Sequence, residues 1–423
     1  MEIKRLTLKK NVTWTLSGSI VYSLAQWLIL VVIAKVGTAE MVGQYALGLA
    51  ISAPIIMFSE MKLRIALVTD AKSSVDFSYY LGTRIVCMLF AIVAIILSIV
   101  IFGYSFQTMM IVLLIGIAKV FESLSDIFHG QLQKQERMDL IAISDMLKGI
   151  ITVLTFASLL ILTESLIVAV MGQVLIWALL LILYDCFITR KYVSISPKFH
   201  FKTVRGLIQL TLSLGTMALL SSINTNIPNY MVEHFLGKEE LGYFAAIAYI
   251  LYAGNRLVDS IRQPATPRLA NLFERKDMKA FRKLLFGLLL VGLFIGIVGA
   301  LVAYMLGSFL LTVIYTASYA DYSGLFLIIM LAGLFSYPTK FLDAALNSTR
   351  SFKIQPYLAL GWLVVSLSSC LLLIPSFGLY GAAFAVVIGS CAKCISYSIV
   401  LFLVMRKARK LHNQILETAA ITV

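Results

Sequence analysis

The chain has 423 residues, of which 60% are hydrophobic and 13% charged, and its mean hydropathy is +0.93. Soluble globular proteins are about half apolar and about a quarter charged, so this composition excludes a soluble fold. The formal net charge of +14 has to be explained within a membrane protein.

Apolar runs recur along the whole sequence, and a helix needs about 20 apolar residues to cross the hydrocarbon layer. The first run follows Lys9 and Lys10 and is too long for a signal peptide, so we expect a retained span. The pattern predicts an all-α polytopic membrane protein with about twelve transmembrane helices. They lie near residues 12–34, 41–60, 80–102, 108–130, 139–162, 166–188, 207–232, 241–265, 284–314, 322–346, 354–375 and 380–404.

The basic residues lie mainly on one side of these spans. The N-terminus, the loops after even-numbered spans and the C-terminal tail carry 26 of the 35 Lys and Arg residues, whereas the opposite side carries only Lys35 and Lys238. Positive charge marks cytoplasmic loops, so both termini are predicted to be cytoplasmic and the span number even. The net charge therefore indicates topology and contact with anionic membrane lipids, and nucleic-acid binding is not expected.

Two segments are repeated in the same order along the chain. Residues 37–46 and 237–245 share a Gly, Glu, Gly and Tyr pattern at the start of spans two and eight. A second repeated pattern occurs in spans four and ten, where Lys119, Glu122 and Asp126 match Lys340, Asp343 and Asn347. These repeated patterns predict that the chain is duplicated, with an N-terminal six-helix lobe (1–200) and a C-terminal six-helix lobe (201–423). Six is even, so the lobes are predicted to be parallel repeats with a pathway between them.

Ionisable residues inside spans are costly, and here they follow helical spacing. The stripes are Lys119, Glu122, Asp126, His129 and Gln133 in span four, Tyr249, Tyr252, Arg256, Asp259 and Gln263 with Arg262 in span eight, and Ser336, Lys340, Asp343 and Asn347 in span ten. They either line a polar cavity or form structural pairs. The structural alternative predicts that Asp145 and Lys148 neutralise each other and that Arg84 reaches interfacial water.

Further polar side chains lie in spans one and seven. They include Gln26 in span one, and Asn224, Asn226 and Asn229 around Pro228, which is predicted to interrupt span seven. Such groups line pathways or join neighbouring helices. The five cysteines lie in apolar runs and the four histidines are scattered, so neither a metal site nor a cofactor is predicted.

Several motifs, in their order, resemble the polysaccharide transporter family. This family contains the O-antigen and capsular-polysaccharide flippases of the wider multidrug/oligosaccharidyl-lipid/polysaccharide exporter group. The motifs are residues 43–47 (GQYAL), residues 63–70 (LRIALVTD), Tyr80 with Arg84, residues 267–270 (PRLA) and a basic helix expected over residues 271–283. Each motif is loose, but together with twelve spans they cover nearly the whole chain.

The resemblance implies two six-helix bundles around a central cavity, a MATE-like fold, in a bacterial cytoplasmic (inner) membrane. It implies a flippase, not an enzyme, that moves an undecaprenyl-diphosphate-linked oligosaccharide to the outer leaflet by alternating access. The resemblance further implies partners in a polysaccharide polymerase and a chain-length regulator. Candidate headgroup-binding cations are Arg256, Arg262, Lys340 and Lys119, with Arg64 and Arg84 at the cytoplasmic entrance. Candidate sugar-facing groups are Asn224, Asn226, Asn229, Tyr249, Tyr252 and Gln26.

One feature departs from the family pattern. A cationic cavity is expected, yet the predicted spans carry about as many carboxylates as cations. Either the carboxylates face away from the path or some of them couple transport to protons. The candidates for coupling are Asp126, Asp259, Asp343 and Glu122.

Two other functions remain open from the sequence. An ion-coupled multidrug exporter of the same group would need an unpaired carboxylate and aromatic residues facing the cavity. A membrane polysaccharide polymerase or ligase would need a sizeable outer loop, and the predicted outer loops are only a few residues long.

Overall fold

The computed structural model describes residues 6–70, 75–349 and 354–421, and the secondary structure of these residues is helical. They form two compact units, Met1–Ala246 and Ile247–Val423. Ten helical segments in the described part of the chain are long and apolar enough to cross a membrane. The predicted lobe boundary at residue 200 remains a prediction.

The first unit contains α1 to α9 and the start of α10. These helices are α1 (Leu8–Val36), α2 (Ala39–Ser59), α3 (Leu63–Thr69), α4 (Phe77–Phe102), α5 (Phe106–Lys134), α6 (Met138–Thr163), α7 (Leu166–Leu180), α8 (Phe187–Thr189), α9 (Phe201–Leu236) and α10 (Lys238–Glu274). A π-helical turn, Leu181–Cys186, joins α7 to α8. Within this unit α5 packs against α2, α3, α4, α6 and α7, so it is the central helix.

The second unit contains the rest of α10 and five further helices. These are α11 (Met278–Ile314), α12 (Ala317–Ala320), α13 (Ser323–Leu331), α14 (Gly333–Ser348) and α15 (Gln355–Ile421). In α15 the backbone is non-helical at Gly378, where φ is +56°, so this element consists of two helices. Each of the twelve predicted spans therefore coincides with a helix or helix pair, and the predicted all-α polytopic fold is confirmed.

Two connections between helices differ from the sequence predictions. Span two is followed by a break at Met61 and Lys62, which both adopt positive φ, and then by the short helix α3. The continuous basic helix predicted over residues 271–283 is wrong, because α10 ends at Glu274. Helix α11 then restarts at Met278, where the Asp277 carboxylate accepts a hydrogen bond from Ala280 N at 3.0 Å.

Proline does not interrupt α9, contrary to the prediction for span seven. The helix is continuous through Pro228, which is buried. Just before it, Thr225 and Asn226 donate to the carbonyl oxygens of Ser221 and Ser222 at 3.0 and 2.9 Å. These side-chain bonds keep the polar groups of Thr225 and Asn226 within their own helix.

The two repeated segments contact each other at the starts of α2 and α10. A Cβ atom on Gly43 would lie 1.7 Å from the carbonyl oxygen of Lys238, and one on Gly242 would lie 1.9 Å from that of Ala39. Only glycine allows such a close backbone approach. The contact is reciprocal, with a glycine of each segment against a helix start of the other. The duplication into two six-helix lobes remains a prediction.

Candidate functional site

The polar stripe of α5 lies in the interior of the first unit. At the N-terminal end of this stripe, the Lys119 ammonium lies 2.7 Å from the Glu122 carboxylate and 5.3 Å from the centre of the Trp177 ring. The hydroxyl of Tyr22, on α1, donates to the same carboxylate of Glu122. A carboxylate with two donors from two helices is a satisfied pair, and this part of the stripe is neutral.

Two arginines share Asp126 one turn further along α5. Arg64, on α3, lies 2.8 Å from one carboxylate oxygen, and Arg84, on α4, lies 3.2 Å from the other. Arg64 also donates to Gln133 at 3.0 Å, and Arg84 to Ser123 at 2.9 Å. The break after α2 positions Arg64, because it turns α3 so that it packs against α5.

These arginines differ in their exposure. The side chain of Arg84 is 0% exposed, whereas that of Arg64 is 26% exposed. The alternative that Arg84 reaches interfacial water is therefore wrong, because Ser123 and Asp126 hold its guanidinium inside the unit. The role of both arginines at a cytoplasmic entrance remains a prediction.

The carboxylate of Asp185, in the π-helical turn, is fully buried. Lys148 lies 2.9 Å from one of its oxygens, and His129 Nε2 lies 3.2 Å from the other. Ser144 donates at 2.7 Å, and Ser125 donates as well. Every side chain here is at most 5% exposed. π-helical turns are frequent at functional sites, because they displace one side chain from the regular helical register.

This arrangement corrects the predicted pairing of Asp145 with Lys148. Although the two lie three residues apart on α6, Lys148 pairs with Asp185 of the neighbouring π-helical turn instead. Asp145 faces Nδ1 of His129 at 3.9 Å. An uncompensated charge costs more free energy when it is fully buried than when it is partly exposed. Lys148 therefore pairs with Asp185 and not with Asp145.

We call these charged groups of the first unit the N-terminal cluster. They are Arg64, Arg84, Lys119, Glu122, Asp126, His129, Asp145, Lys148 and Asp185. Apart from His129, four cations face four carboxylates. The carboxyl group of Glu60 also lies close enough to interact with the charges of Arg84 and Asp126. The N-terminal cluster thus has no surplus of positive charge.

The second unit holds a chain of ion pairs between α10 and α14. Asp259 accepts from Arg262, on the same helix, at 2.8 Å and lies 3.2 Å from Lys340. Arg262 also lies 3.8 Å from Asp343. The four side chains are between 21% and 36% exposed, so all of them are partly accessible.

Two further cations accompany these pairs. Arg256 is exposed on α10, one turn before Asp259, and it has no ion-pair partner among the described residues. Lys393, in the second half of α15, lies 5.7 Å above the ring of Trp362 and likewise has no carboxylate partner within the described ranges. We call Arg256, Asp259, Arg262, Lys340, Asp343 and Lys393 the C-terminal cluster. It has four cations and two carboxylates, a surplus of two positive charges.

Amide and hydroxyl groups surround Asp343 in the C-terminal cluster. Asn347 donates to its carboxylate at 3.1 Å and Tyr397 at 3.0 Å, and Gln355 donates to the Asn347 oxygen at 2.7 Å. Asn347 thereby links the α14 stripe to the start of α15. The surroundings of this carboxylate are polar and partly open, which suits a hydrated ligand.

The predicted sugar-facing residues lie on α1, α9 and α10. On α9, Asn229 donates to Asn226 at 3.4 Å, and Asn224 is buried. The rings of Tyr249 and Tyr252 contact each other at 6.4 Å on α10. Gln26 is half-buried on α1. Their role towards sugar remains a prediction.

Two cluster residues, Asp185 and Lys393, were not among the residues predicted from the sequence, nor were Trp362 and Tyr397, which contact the C-terminal cluster. Asp185 and Lys393 are single ionisable residues within apolar runs, without a second charged residue at helical spacing. An ionisable residue at membrane depth is itself a signal of function, and that criterion alone could have found them.

Comparison with known proteins identifies the family and the fold. A family model described as "Polysaccharide biosynthesis protein" matches residues 8–273. The capsular polysaccharide biosynthesis protein CapF of Staphylococcus aureus is 29% identical over 394 residues, which cover 92% of this chain and 98% of that protein. The match to this relative therefore extends over nearly the full length of both chains.

Several solved structures share the fold at low sequence identity. An inward-facing multidrug resistance MATE family transporter of the MOP superfamily has a TM-score of 0.76 at 10% identity and covers 94% of this chain and 99% of its own. The lipid II flippase MurJ, in an inward closed conformation, has a TM-score of 0.73 at 15% identity and covers 95% and 92%. A MOP superfamily transporter from Pyrococcus furiosus has a TM-score of 0.64 at 11% identity and covers 96% and 98%. The predicted MATE-like fold is confirmed.

Proposed function

The chain belongs to the polysaccharide biosynthesis protein family, and on that premise we propose that it is a flippase for a lipid-linked oligosaccharide. It carries an undecaprenyl-diphosphate-linked repeat unit from the cytoplasmic to the outer leaflet of the bacterial inner membrane by alternating access. The product serves the assembly of a surface polysaccharide, an O-antigen or a capsule. The printed name of the relative from Staphylococcus aureus favours a capsule.

The observation that carries the proposal is the charge surplus of the C-terminal cluster. A diphosphate that links lipid to sugar is a diester with two negative charges. Two cations of the cluster, Arg256 and Lys393, lack a carboxylate partner in the described chain, so the cluster matches the ligand in sign and in number of charges. Charged hydrogen bonds from Arg and Lys to phosphate are among the strongest in proteins.

The surplus of positive charge in the C-terminal cluster is compatible with the near-equal numbers of carboxylates and cations in the predicted spans. Most carboxylates within the spans belong to the N-terminal cluster, where they neutralise buried cations. Of the other carboxylates in the predicted spans, Glu60 interacts with the charges of Arg84 and Asp126, and Asp259 and Asp343 still leave the C-terminal cluster positive. On the predicted orientation, with both termini cytoplasmic, the two clusters lie in the cytoplasmic halves of their helices, where a substrate made in the cytoplasm would be loaded.

Carboxylates that couple transport to protons are part of this proposal. Asp126, Asp259, Asp343 and Glu122 are each partly exposed, and each is paired with at least one cation or hydrogen-bond donor. Substrate binding to those cations would release the carboxylates for protonation. Flux that is unchanged by an imposed pH gradient would argue against this coupling.

The test is a flipping assay in proteoliposomes that contain a fluorescent undecaprenyl-diphosphate-linked oligosaccharide. Wild-type protein is expected to expose the inner-leaflet half of the lipid to a membrane-impermeant quencher. Arg256→Ala, at equal reconstitution, should slow that exposure about tenfold, and Arg256→Lys should retain most of the rate. An Arg256→Ala variant with the wild-type rate would remove the leading role given to this residue.

A multidrug exporter is the second candidate, and the structural similarity to MATE family transporters favours it as far as the fold goes. Such a transporter binds cations and would need a carboxylate surplus, whereas the C-terminal cluster has the opposite sign. Uptake of a cationic dye into the same proteoliposomes separates the two. Dye transport without lipid flipping would replace the proposal.

A membrane polymerase or ligase is disfavoured by the connections on the predicted outer side. Within the described residues these connections are short, with α1 and α2, α6 and α7, and α9 and α10 each separated by only one or two residues. A catalytic site that holds two saccharide chains needs a larger outer segment. We therefore propose a transporter without enzymatic activity.

A further inference from the structure

Lys393 is an unusual lysine for a membrane span. Its ammonium lies over the face of Trp362, 5.7 Å from the ring centre, and the side chain is half-buried. Among the described residues no carboxylate pairs with it. The nearby charge that acts on it is that of Lys340, which has the same sign. A cation in low dielectric without an acid is costly, so such a residue calls for a ligand that supplies negative charge.

The surroundings hold Lys393 in place. Trp362 donates its indole N–H to Ser396 at 2.9 Å, and its ring packs against that of Tyr397 with the centres 5.0 Å apart. Tyr397 in turn donates to Asp343, at 3.0 Å. Lysine over a tryptophan face gains a cation–π interaction, which fixes the ammonium but leaves its charge uncompensated.

The same contacts connect Lys393 to the rest of the C-terminal cluster. The path runs from Trp362 through Tyr397 to Asp343, which Arg262 approaches at 3.8 Å. Lys340 lies one turn before Asp343 on α14 and pairs with Asp259. Lys393 lies close enough to Lys340 for their charges to repel each other, so an anionic group bound by one lysine is attracted by the other as well.

We propose that Lys393 binds the second phosphate of the lipid carrier and makes the C-terminal cluster selective for diphosphate-linked over monophosphate-linked oligosaccharides. This inference rests on the proposed function and names the class of carrier that it recognises. A lipid–diphosphate–sugar diester carries two negative charges and a lipid–phosphate–sugar diester one. The surplus of two cations matches the diphosphate, and without Lys393 the remaining surplus of one matches the monophosphate.

The experiment compares two probes that differ only by one phosphate, farnesyl-diphospho-glucose and farnesyl-phospho-glucose. Their affinities for the detergent-solubilised full-length protein are measured by isothermal titration calorimetry. The wild type should bind the diphosphate at least about tenfold more tightly, the effect of one charged hydrogen bond. Lys393→Met should remove most of that preference through weaker diphosphate binding, and Lys393→Arg should keep it.

Lys191 offers a matched control. Its ammonium also lies over an aromatic ring, 5.1 Å from the centre of Phe187, but it is exposed and outside both clusters. Lys191→Met should leave both affinities unchanged. If Lys191→Met reduced the diphosphate preference as much as Lys393→Met does, the effect would be one of general charge, and the inference would fail.

A second measurement does not depend on a variant that folds. Wild-type protein is treated with an amine-acetylating reagent with and without each probe, and acetylation of Lys393 is quantified by mass spectrometry. Saturating farnesyl-diphospho-glucose should protect Lys393 several-fold more than farnesyl-phospho-glucose does. Equal acetylation in the presence of both probes would overturn the inference.

The outcomes separate this inference from the proposed function. A protein that flips the lipid-linked oligosaccharide in vesicles but binds both probes equally refutes the role of Lys393 and leaves the flippase proposal intact. A protein that prefers the diphosphate through Lys393 but does not flip the lipid keeps the inference as a binding property and refutes the proposed function.

Discussion

The N-terminal and C-terminal clusters have a similar set of side chains, but they differ in burial and in charge balance. In the N-terminal cluster the inner groups, Arg84, Lys148 and Asp185, are almost completely buried, and each has an ion-pair partner. In the C-terminal cluster every charged group is at least partly accessible, and two of the cations lack an acid within the described ranges. Buried balanced charges specify structure, whereas accessible unbalanced charges are suited to bind a ligand.

Removal of Asp185 should have the largest effect, because it leaves the buried ammonium of Lys148 without a partner. We expect Asp185→Leu to lower the free energy of unfolding by about 3–5 kcal/mol, measured by denaturant titration in detergent micelles. The double variant Asp185→Leu, Lys148→Met removes both charges and should recover most of that loss. A single variant as stable as the wild type would show that the pair is not structural.

The two arginines that share Asp126 test the effect of burial inside one cluster. Arg84→Met should cost about 2–3 kcal/mol of unfolding free energy, because Ser123 and Asp126 lose a buried donor. Arg64→Met should cost about 1 kcal/mol, since its partners are partly hydrated. Equal losses, measured by the same denaturant titration, would mean that burial does not distinguish them.

Lys340 should show the reverse behaviour of Asp185. At 36% exposure its removal should change the free energy of unfolding by less than about 1 kcal/mol. Its loss should nevertheless weaken binding of farnesyl-diphospho-glucose about tenfold, measured by calorimetry. Lys279→Met, an exposed lysine at the start of α11, is the control for charge alone. Unchanged affinity in Lys340→Met would place the ligand elsewhere.

The smallest effect is expected outside both clusters. Arg137 donates to Asp139 at 2.8 and 2.9 Å in the connection between α5 and α6. This hydrogen bond raises the pKa of the Arg137 guanidinium, which therefore stays charged at every accessible pH. Arg137→Ala should cost about 1 kcal/mol or less in thermal unfolding and leave probe binding unchanged. A loss as large as that of Asp185→Leu would invalidate the contrast between partly exposed and fully buried ion pairs.

The sequence was sufficient to predict the helices and one face of the N-terminal cluster. Long apolar runs dictate the spans, and the spacing of Lys119, Glu122 and Asp126 places these residues on one face of α5. Gly43 and Gly242 could also be recognised in the sequence, because they belong to its two similar segments. The structure adds that each of them contacts the start of the other's helix.

Partner choice between helices could not be predicted. Lys148 has a carboxylate three residues away on its own helix, yet it pairs with Asp185. The carboxylate of Asp185 is fully buried in the π-helical turn, so leaving it without a cation would cost more free energy. The break at Met61 and Lys62 lacks glycine or proline, so no turn signal marks it. Lys393 joins its cluster through Trp362 and Tyr397, and such a chain of contacts exists only after α14 and α15 have packed.

We propose that the anionic headgroup binds at the C-terminal cluster and not at the N-terminal one. A farnesyl-diphospho-glucose probe with a photoreactive diazirine on its sugar tests this directly, with the labelled peptides identified by mass spectrometry. We expect labelling of peptides from α10, α14 and α15 that excess inorganic pyrophosphate abolishes. Pyrophosphate-sensitive labelling confined to peptides from α3, α4 and α5 would contradict it.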